Sequence, residues 1–170
     1  MHFRHRGVSE IRSHDGEKDV LMSNKDLATQ YFDAVWSEHY DPAKIRELTA
    51  PELVFRYPMH GEFHGAEAVI AILDSFRESL PDLKFWATDE LLEDGDYVIA
   101  RWEGGGTHTG KAITEIPHGG PIPAESGQKI LFSGVSLLKF RDGKVISDVG
   151  EEGAIDAHLQ LGAVVPNTPS

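Results

Sequence analysis

The stretch that decides the fold runs from Gly127 to Gly162 and reads GQKILFSGVSLLKFRDGKVISDVGEEGAIDAHLQLG. Its Asp142-Gly143 pair stands between two apolar-rich segments. Asp-Gly is among the strongest signals for a two-residue hairpin turn, because both central residues must accept positive φ. Apolar residues occupy both alternating sets of positions in the first segment, 128–141. The stretch therefore predicts two long paired strands and then a short helix, with the first strand covered on both faces.

The second segment, residues 144–153, begins with apolar residues and ends with carboxylates. Carboxylates in an otherwise central strand are costly unless they are solvated, paired or used. Glu151 and Glu152 at this acidic end are the main indication of function in the sequence. Asp148 falls on the opposite face of the strand from Glu151, so we expect it at the surface or in an ion pair.

Composition narrows the class of protein. The 170 residues are 40% apolar and 26% charged, which is typical of one globular domain. A net charge of −12 argues against nucleic-acid and anionic-membrane partners, which need a basic surface. The chain has no cysteine and no apolar run of bilayer length. We expect a cytoplasmic protein without disulfides or thiolate metal sites.

The rest of the chain reads as an α+β domain over 23–163. Residues 1–22 are polar and aperiodic, and we expect a flexible extension rather than a metal site built on His2, His5 and His14. Residues 164–170 form a tail. A Gly- and Pro-rich segment at 104–127 predicts a loop at the rim of a cavity. Periodicity predicts helices over 25–38, 42–48 and 65–80, and strands over 52–57, 83–92 and 97–104 before the hairpin.

Several motifs, in order, resemble one family. They are YFDAVW, MHGEFHGAEAV, SLPDLKF, RWEGGGTHTG, GQKILFSGVSLLKFRDGKV and the final QLG. Together they resemble the SnoaL-like polyketide cyclases, or ester cyclases, of the nuclear transport factor two-like superfamily. The resemblance covers residues from about Asn24 to Gly162. The fold by itself does not define a function, because this fold hosts many.

The resemblance implies a cone-shaped half-barrel, in which a strongly curved antiparallel sheet and about three helices enclose one apolar pocket. In the characterised cyclases a carboxylate on the last strand removes a proton α to a carbonyl, and an intramolecular aldol closure follows. No metal or organic cofactor takes part in that reaction. An apolar pocket raises the pKa of such a carboxylate toward neutrality.

This chain departs from the family at the catalytic position. The resemblance aligns the family's catalytic Asp with Gly153, which cannot move a proton. Strand alternation places Glu151 on the same face as Gly153, so we expect Glu151 to serve as the general base. A bulge near Gly150 would present Glu152 instead. A second interpretation is that both glutamates are the solvated end of a strand, next to a helix N-terminus.

Other candidates surround the predicted pocket. His108 of GTHTG is predicted to assist catalysis by donating to a developing enolate, or else to be a loop histidine bonded to backbone. His60 is predicted to line the pocket, and its spacing from His64 does not favour a metal site. Arg101 is predicted to bind a polar substrate group or to pair with a carboxylate. The predicted aromatic lining consists of Tyr31, Trp36, Tyr57, Trp86 and Trp102.

Two functions remain open from the sequence. The first is a cofactor-independent cyclase or isomerase-like catalyst that acts on a small hydrophobic carbonyl or polyketide-like compound. The second is a non-catalytic binding protein of the same fold that has lost the catalytic Asp. An epoxide hydrolase or dehydratase would need a grouping that Asp33, Arg101 and His108 do not suggest. The apolar outer face of 128–141 predicts a homodimer.

Overall fold

A computed structural model describes residues 22–116 and 119–165 of the chain. The predicted extension over 1–22 and the predicted tail over 164–170 lie almost wholly outside these ranges. The described helices are α1 (Asn24–Trp36), α2 (Pro42–Leu48), α3 (Gly65–Ser79) and α4 (Ala154–Leu161). The strands are β1 (Thr49–Tyr57), β2 (Gly61–His64), β3 (Lys84–Ala87), β4 (Leu92–Asp94), β5 (Tyr97–Thr107), β6 (Lys129–Arg141) and β7 (Lys144–Glu152).

Local sequence explains where the first helices begin. The Ser23 side chain accepts from the Asp26 backbone N–H, while the Asp26 carboxylate accepts from the Ser23 backbone, which completes a capping box. Asp41 caps α2 in a similar way, and Pro42 occupies the first helical position, where no N–H is needed. Neither cap depends on distant parts of the chain, so the first residue of each of these two helices follows from the local sequence.

The strands form one curved, open sheet in the order β2-β1-β7-β6-β5-β3, with β4 also paired to β5. The fold is the predicted α+β class. The expectation of a wholly antiparallel sheet needs one correction, because β1 and β7 pair in parallel. A long connection through α3 and five strands carries the chain from β1 to β7, and the two strands run in the same direction.

The β6–β7 hairpin forms at the predicted turn. Asp142 and Gly143 have φ of 51° and 72°, as a two-residue turn of this kind requires. One irregularity interrupts the pairing: Lys139 lies opposite Ser147 and Phe140 lies opposite Val145. Ile146 is therefore an extra residue on β7, and this bulge changes which side chains of β7 face inward.

The core lies between the concave face of the sheet and the helices. Tyr31 and Val35 of α1, Leu73 of α3 and Phe55 of β1 are fully buried there. The convex face is different, since Leu131, Val135 and Leu137 of β6 are 56%, 41% and 40% exposed. Within one chain β6 is thus covered on one face only. No described helix is long and apolar enough to cross a membrane.

Candidate functional site

An apolar cavity lies between the sheet and helices α1, α3 and α4. Its volume is about 110 Å³, comparable to an engineered apolar cavity of ~150 Å³ that binds benzene. Helices α1, α3 and α4, five strands and the loop after β5 all contribute to its wall. The lining residues are Trp36, Tyr57, Met59, His60, Phe76, Leu80, Leu83, Phe85, Trp102, Ile113, Glu115, Ile116, Ile130, Phe132, Glu152, His158 and Leu161.

Glu152, the last residue of β7, directs its carboxyl group into this cavity. Its side chain is 3% exposed, and the backbone N–H of Met59 donates to Oε1 at 2.7 Å. Burial in apolar surroundings raises the pKa of Glu152 to about 7, against the opposing effect of the Met59 hydrogen bond and with a smaller contribution from Glu151. A carboxyl group poised near neutrality can both accept and return a proton.

Two histidines stand near this carboxyl group. His60 Nε2 lies 3.8 Å from Glu152 Oε2, and its ring packs on Phe76 with centroids 4.3 Å apart. Burial, and to a smaller extent His158, lower the pKa of His60 to about 3. The imidazole of His60 is therefore neutral at pH 7, and its contact with Glu152 is not an ion pair. His158, on α4, is buried and also lines the cavity.

Glu151, the first candidate for the base, lies elsewhere. It is exposed, pairs in register with Val135 on the convex side, and does not line the cavity. The physical reason is that Gly153, whose face Glu151 was expected to share, is not part of the strand, while the inward positions of β7 after the bulge at Ile146 are 148, 150 and 152. Glu152 thus reaches the cavity without the bulge near Gly150 that the sequence argument required. Gly153 lies beyond the strand, at the N-cap of α4.

The expectation that Asp148 lies at the surface is wrong, because its residue exposure is 1%. Tyr57 donates to its Oδ1 at 2.7 Å and Tyr31 donates to its Oδ2 at 3.1 Å. Burial raises the pKa of Asp148 to about 6, while the two hydroxyl hydrogen bonds oppose that rise. Asp148 does not line the cavity.

A chain of hydrogen bonds joins Asp148 to the cavity wall. Trp102 Nε1 donates to Ser136 Oγ at 2.9 Å, and Ser136 Oγ lies 2.6 Å from the Tyr57 hydroxyl. The rings of Tyr57 and Trp102 line the cavity. Gly150 makes room for this arrangement, since a Cβ there would lie 2.0 Å from Tyr57 Cε1. The network thus holds two wall residues in fixed positions.

His108 is fully buried and lies outside the cavity lining. Its Nδ1 is 2.8 Å from Ser126 Oγ and its Nε2 is 2.6 Å from the Lys111 carbonyl oxygen. Both nitrogens therefore bind the loop after β5, which matches the alternative of a loop histidine. The same loop supplies Ile113, Glu115 and Ile116 to the cavity wall.

The other predicted lining residues divide into two groups. Trp36, Tyr57, Trp102 and His60 line the cavity. Trp86 and Arg101 do not, because each is next to an inward residue and so faces outward. Arg101 Nη1 pairs with Asp89 Oδ2 at 3.0 Å on the surface. Tyr31 is buried beside Asp148 and is also absent from the lining.

Sequence reasoning missed several residues of the site. Met59 acts through its backbone, which no side-chain pattern reveals. His158 falls at an inward position of α4, and the helical spacing from Leu161 was the available signal. Glu115 comes from an irregular loop with no period to indicate its direction. No group of three potential metal ligands occurs among residues 22–116 and 119–165.

A family model described as SnoaL-like polyketide cyclase matches residues 26–160. The chain therefore belongs to the SnoaL-like polyketide cyclase family, as the motifs predicted. A search of functionally curated proteins found no match.

Solved structures share the fold. A proposed SnoaL-like polyketide cyclase from Jannaschia sp. CCS1 has a TM-score of 0.69 at 21% identity, over 84% of this chain and 93% of that chain. IdmH, a proposed polyketide cyclase from Streptomyces antibioticus, has a TM-score of 0.65 at 20% identity, over 83% of this chain and 99% of that chain. A Catenulispora acidiphila protein of ketosteroid isomerase-like fold, in complex with trimethylamine, has a TM-score of 0.64 at 16% identity, over 85% of this chain and 98% of that chain.

Proposed function

We propose that this protein is a cofactor-independent catalyst of carbon-acid chemistry, with Glu152 as the general base and a small hydrophobic carbonyl compound as substrate. One observation supports this most: a buried carboxyl group, whose pKa is raised to about 7, projects into an apolar cavity. Membership of the SnoaL-like family suggests aldol-type ring closure of a polyketide-like compound.

The proposed reaction begins with proton removal. The Glu152 carboxylate takes a proton from the carbon α to a carbonyl, and the electron pair of that C–H bond forms the enolate. Neutral His60 has one N–H that can donate to the developing enolate oxygen. The enolate carbon then attacks a second carbonyl carbon of the same molecule, and the oxygen of that carbonyl takes up the proton held by Glu152, which regenerates the carboxylate. The Met59 N–H keeps the carboxyl group oriented throughout.

Hydrogen–deuterium exchange tests the first step without knowledge of the natural substrate. Apolar β-keto esters would be incubated in D₂O, and α-deuteration would be followed by NMR above the uncatalysed rate. The Glu152→Gln variant should lose about 10²-fold or more of the catalysed rate. The Glu151→Gln variant, with the same change of net charge, should keep the wild-type rate. An undiminished rate in E152Q would overturn the assignment.

A non-catalytic binding protein is the second candidate. The resemblance favours it at one position, because Gly153 stands where the family's catalytic Asp is expected. The cavity would then hold its ligand without chemistry. The two candidates differ in the exchange experiment, since a binding protein would take up apolar probes and leave their α-protons untouched.

We also propose that two copies of the chain associate through the convex face of the sheet. Ile99 of β5 lies directly opposite Leu137 of β6 there, and each is about two-fifths exposed. Val135 extends the same apolar area. Burial of such an area against a second copy removes it from water. The cytoplasmic location stays a prediction from the absence of cysteine.

A further inference from the structure

The charged side chains that line the cavity are acidic. Two carboxyl groups line it, Glu152 at the end of β7 and Glu115 on the loop after β5. Among the described residues, no lysine or arginine lines it. His60 stays neutral at ordinary pH, because its pKa is lowered to about 3. His158 also lines the cavity, and it contributes to the lowered pKa of His60. Among the described lining residues, the two histidines are thus the only groups that can carry a positive charge.

Glu152 is short of partners for a buried carboxylate. Oε1 accepts the Met59 N–H, and the contact of Oε2 with His60 is 3.8 Å, beyond hydrogen-bond distance. Buried carboxylates are costly unless paired or hydrogen-bonded. Burial is the main cause of the raised pKa of Glu152, and the Met59 hydrogen bond offsets it only in part. A cation that entered the cavity would supply what the lining does not.

The remaining wall suits the apolar part of an organic cation. Faces of aromatic rings attract cations, and a quaternary ammonium group is a recognised partner for several rings together. Five aromatic side chains besides Phe76 line this cavity: Trp36, Tyr57, Phe85, Trp102 and Phe132. Glu152 lies in the same cavity, so a carboxylate and an aromatic wall are both available to one ligand.

We infer that the cavity selects ligands by charge: it binds hydrophobic organic cations, with the ammonium centre against Glu152, and excludes carboxylates and sulfonates. The inference rests on the proposed function in that it uses the same cavity and carboxyl group. An ammonium centre would stand where the acidic C–H of the proposed substrate stands. An anionic ligand would place a second negative charge beside Glu152, out of water, where the repulsion is strong.

Three ligands of nearly equal shape test the inference at pH 8.5. They are benzyltrimethylammonium, neopentylbenzene and phenylmethanesulfonate, which carry +1, 0 and −1. Each would compete with N-phenyl-1-naphthylamine, a neutral fluorescent probe. We expect the cation to bind at least tenfold more tightly than the neutral compound, and the sulfonate not to compete. Equal affinities for cation and neutral compound would overturn the inference.

The Glu152→Gln variant identifies the group responsible. We expect it to lose the tenfold preference, while Glu151→Gln, with the same net charge, keeps it. Wild-type affinity for the cation should fall about tenfold from pH 8.5 to pH 5.5, as Glu152 takes up its proton. E152Q retains His60, His158, Glu115 and Glu151, so any pH dependence left in it belongs to them. A preference that survives in E152Q would contradict the inference.

The experiment separates the two proposals. If the neutral probe does not bind the wild-type protein, the cavity is not a ligand site, and both proposals fail. If the probe binds but charge has no effect, this inference fails and the proposed function stands. If charge selection depends on Glu152 while E152Q still catalyses exchange of α-protons, the proposed function fails and the inference stands.

Discussion

Asp148 and Glu152 lie on the same face of β7, yet their surroundings suit different tasks. Both oxygens of Asp148 accept tyrosine hydroxyls, and the side chain is closed off from the cavity. Glu152 has one backbone partner and faces the cavity. Burial raises the pKa of both carboxyl groups, to about 6 and about 7. Only Glu152 is placed to reach a ligand.

The Tyr57→Phe substitution tests the buried network. It removes one donor from Asp148 and one of the two hydrogen-bond partners of Ser136, so we expect the free energy of unfolding to fall by about 1–3 kcal/mol. The pKa of Asp148 should rise further, because the lost hydrogen bond lowers it. Urea denaturation at pH 8 measures the stability. Tyr97→Phe, on the exposed face, is the control, and an equal effect of the two substitutions would contradict the account.

The Glu152→Gln substitution should stabilise the protein in a pH-dependent way. The pKa of Glu152 in the folded state, about 7, exceeds its ordinary value of 4.5. The folded state therefore binds more protons, and ionisation destabilises it: the cost is absent below pH 4.5 and complete above pH 7. We expect the gain in unfolding free energy to be about 2 kcal/mol larger at pH 8 than at pH 5. Urea denaturation at pH 5 and pH 8 measures this difference in unfolding free energy, with Glu151→Gln as the control. A gain in stability that does not depend on pH would contradict a buried carboxylate at Glu152.

Among the elements, the loop after β5 has the least regular structure and a large part in the cavity. His108 fastens it through Ser126 and Lys111, and the backbone N–H groups of Gly110 and Lys111 donate to the carbonyls of Ser79 and Glu78 at the end of α3. The loop therefore holds Ile113 and Ile116 in the wall through contacts at its base.

The His108→Ala substitution should loosen this loop. Both ring hydrogen bonds are lost and a buried space is left, so we expect faster amide exchange over residues 110–116 and a lower melting temperature. Exchange in the β6–β7 hairpin should change less. Hydrogen exchange followed by mass spectrometry measures both. His64→Ala, at an exposed histidine, serves as the matched control. Unchanged exchange over 110–116 would show that His108 does not fasten the loop.

The β6–β7 hairpin shows what local sequence can and cannot predict. The Asp142-Gly143 turn followed from the backbone demands of two residues. The inward face of β7 did not, because the bulge at Ile146 depends on pairing with β6 and leaves no period in the sequence. Counting from Val145 across Ile146, as if the pairing were regular, puts Glu151 inward. The sequence argument counted back from Gly153, which lies beyond the end of the strand, and so also favoured Glu151 over Glu152.

At the scale of the whole molecule, the family, the α+β class and most elements were predictable. Helical and alternating periods reflect burial on one face, and burial is encoded locally. The cavity was predictable as a feature of the fold, and its aromatic lining in part. Its polar contacts were not, because Glu152, Met59 and His60 meet only after α3, β1 and β7 have packed.

The convex face of the sheet leads to a prediction about assembly. Leu137→Lys places a charge in the centre of the exposed apolar area and leaves the core untouched. We expect wild-type protein to sediment as a dimer at micromolar concentration and L137K as a monomer of unchanged circular dichroism. Ala71→Lys, on the exposed side of α3, controls for added charge. A wild-type monomer would contradict the proposed association.

The central claim is that one carboxyl group, Glu152, is held in the cavity with a pKa near neutrality. The most direct test is a ¹³C NMR titration of the glutamate side-chain carboxyl carbons, with the Glu152 resonance assigned by its loss in E152Q. The account predicts a midpoint near pH 7 for that resonance. A midpoint near pH 4.5 would show that the carboxyl group is solvated, and would contradict the account.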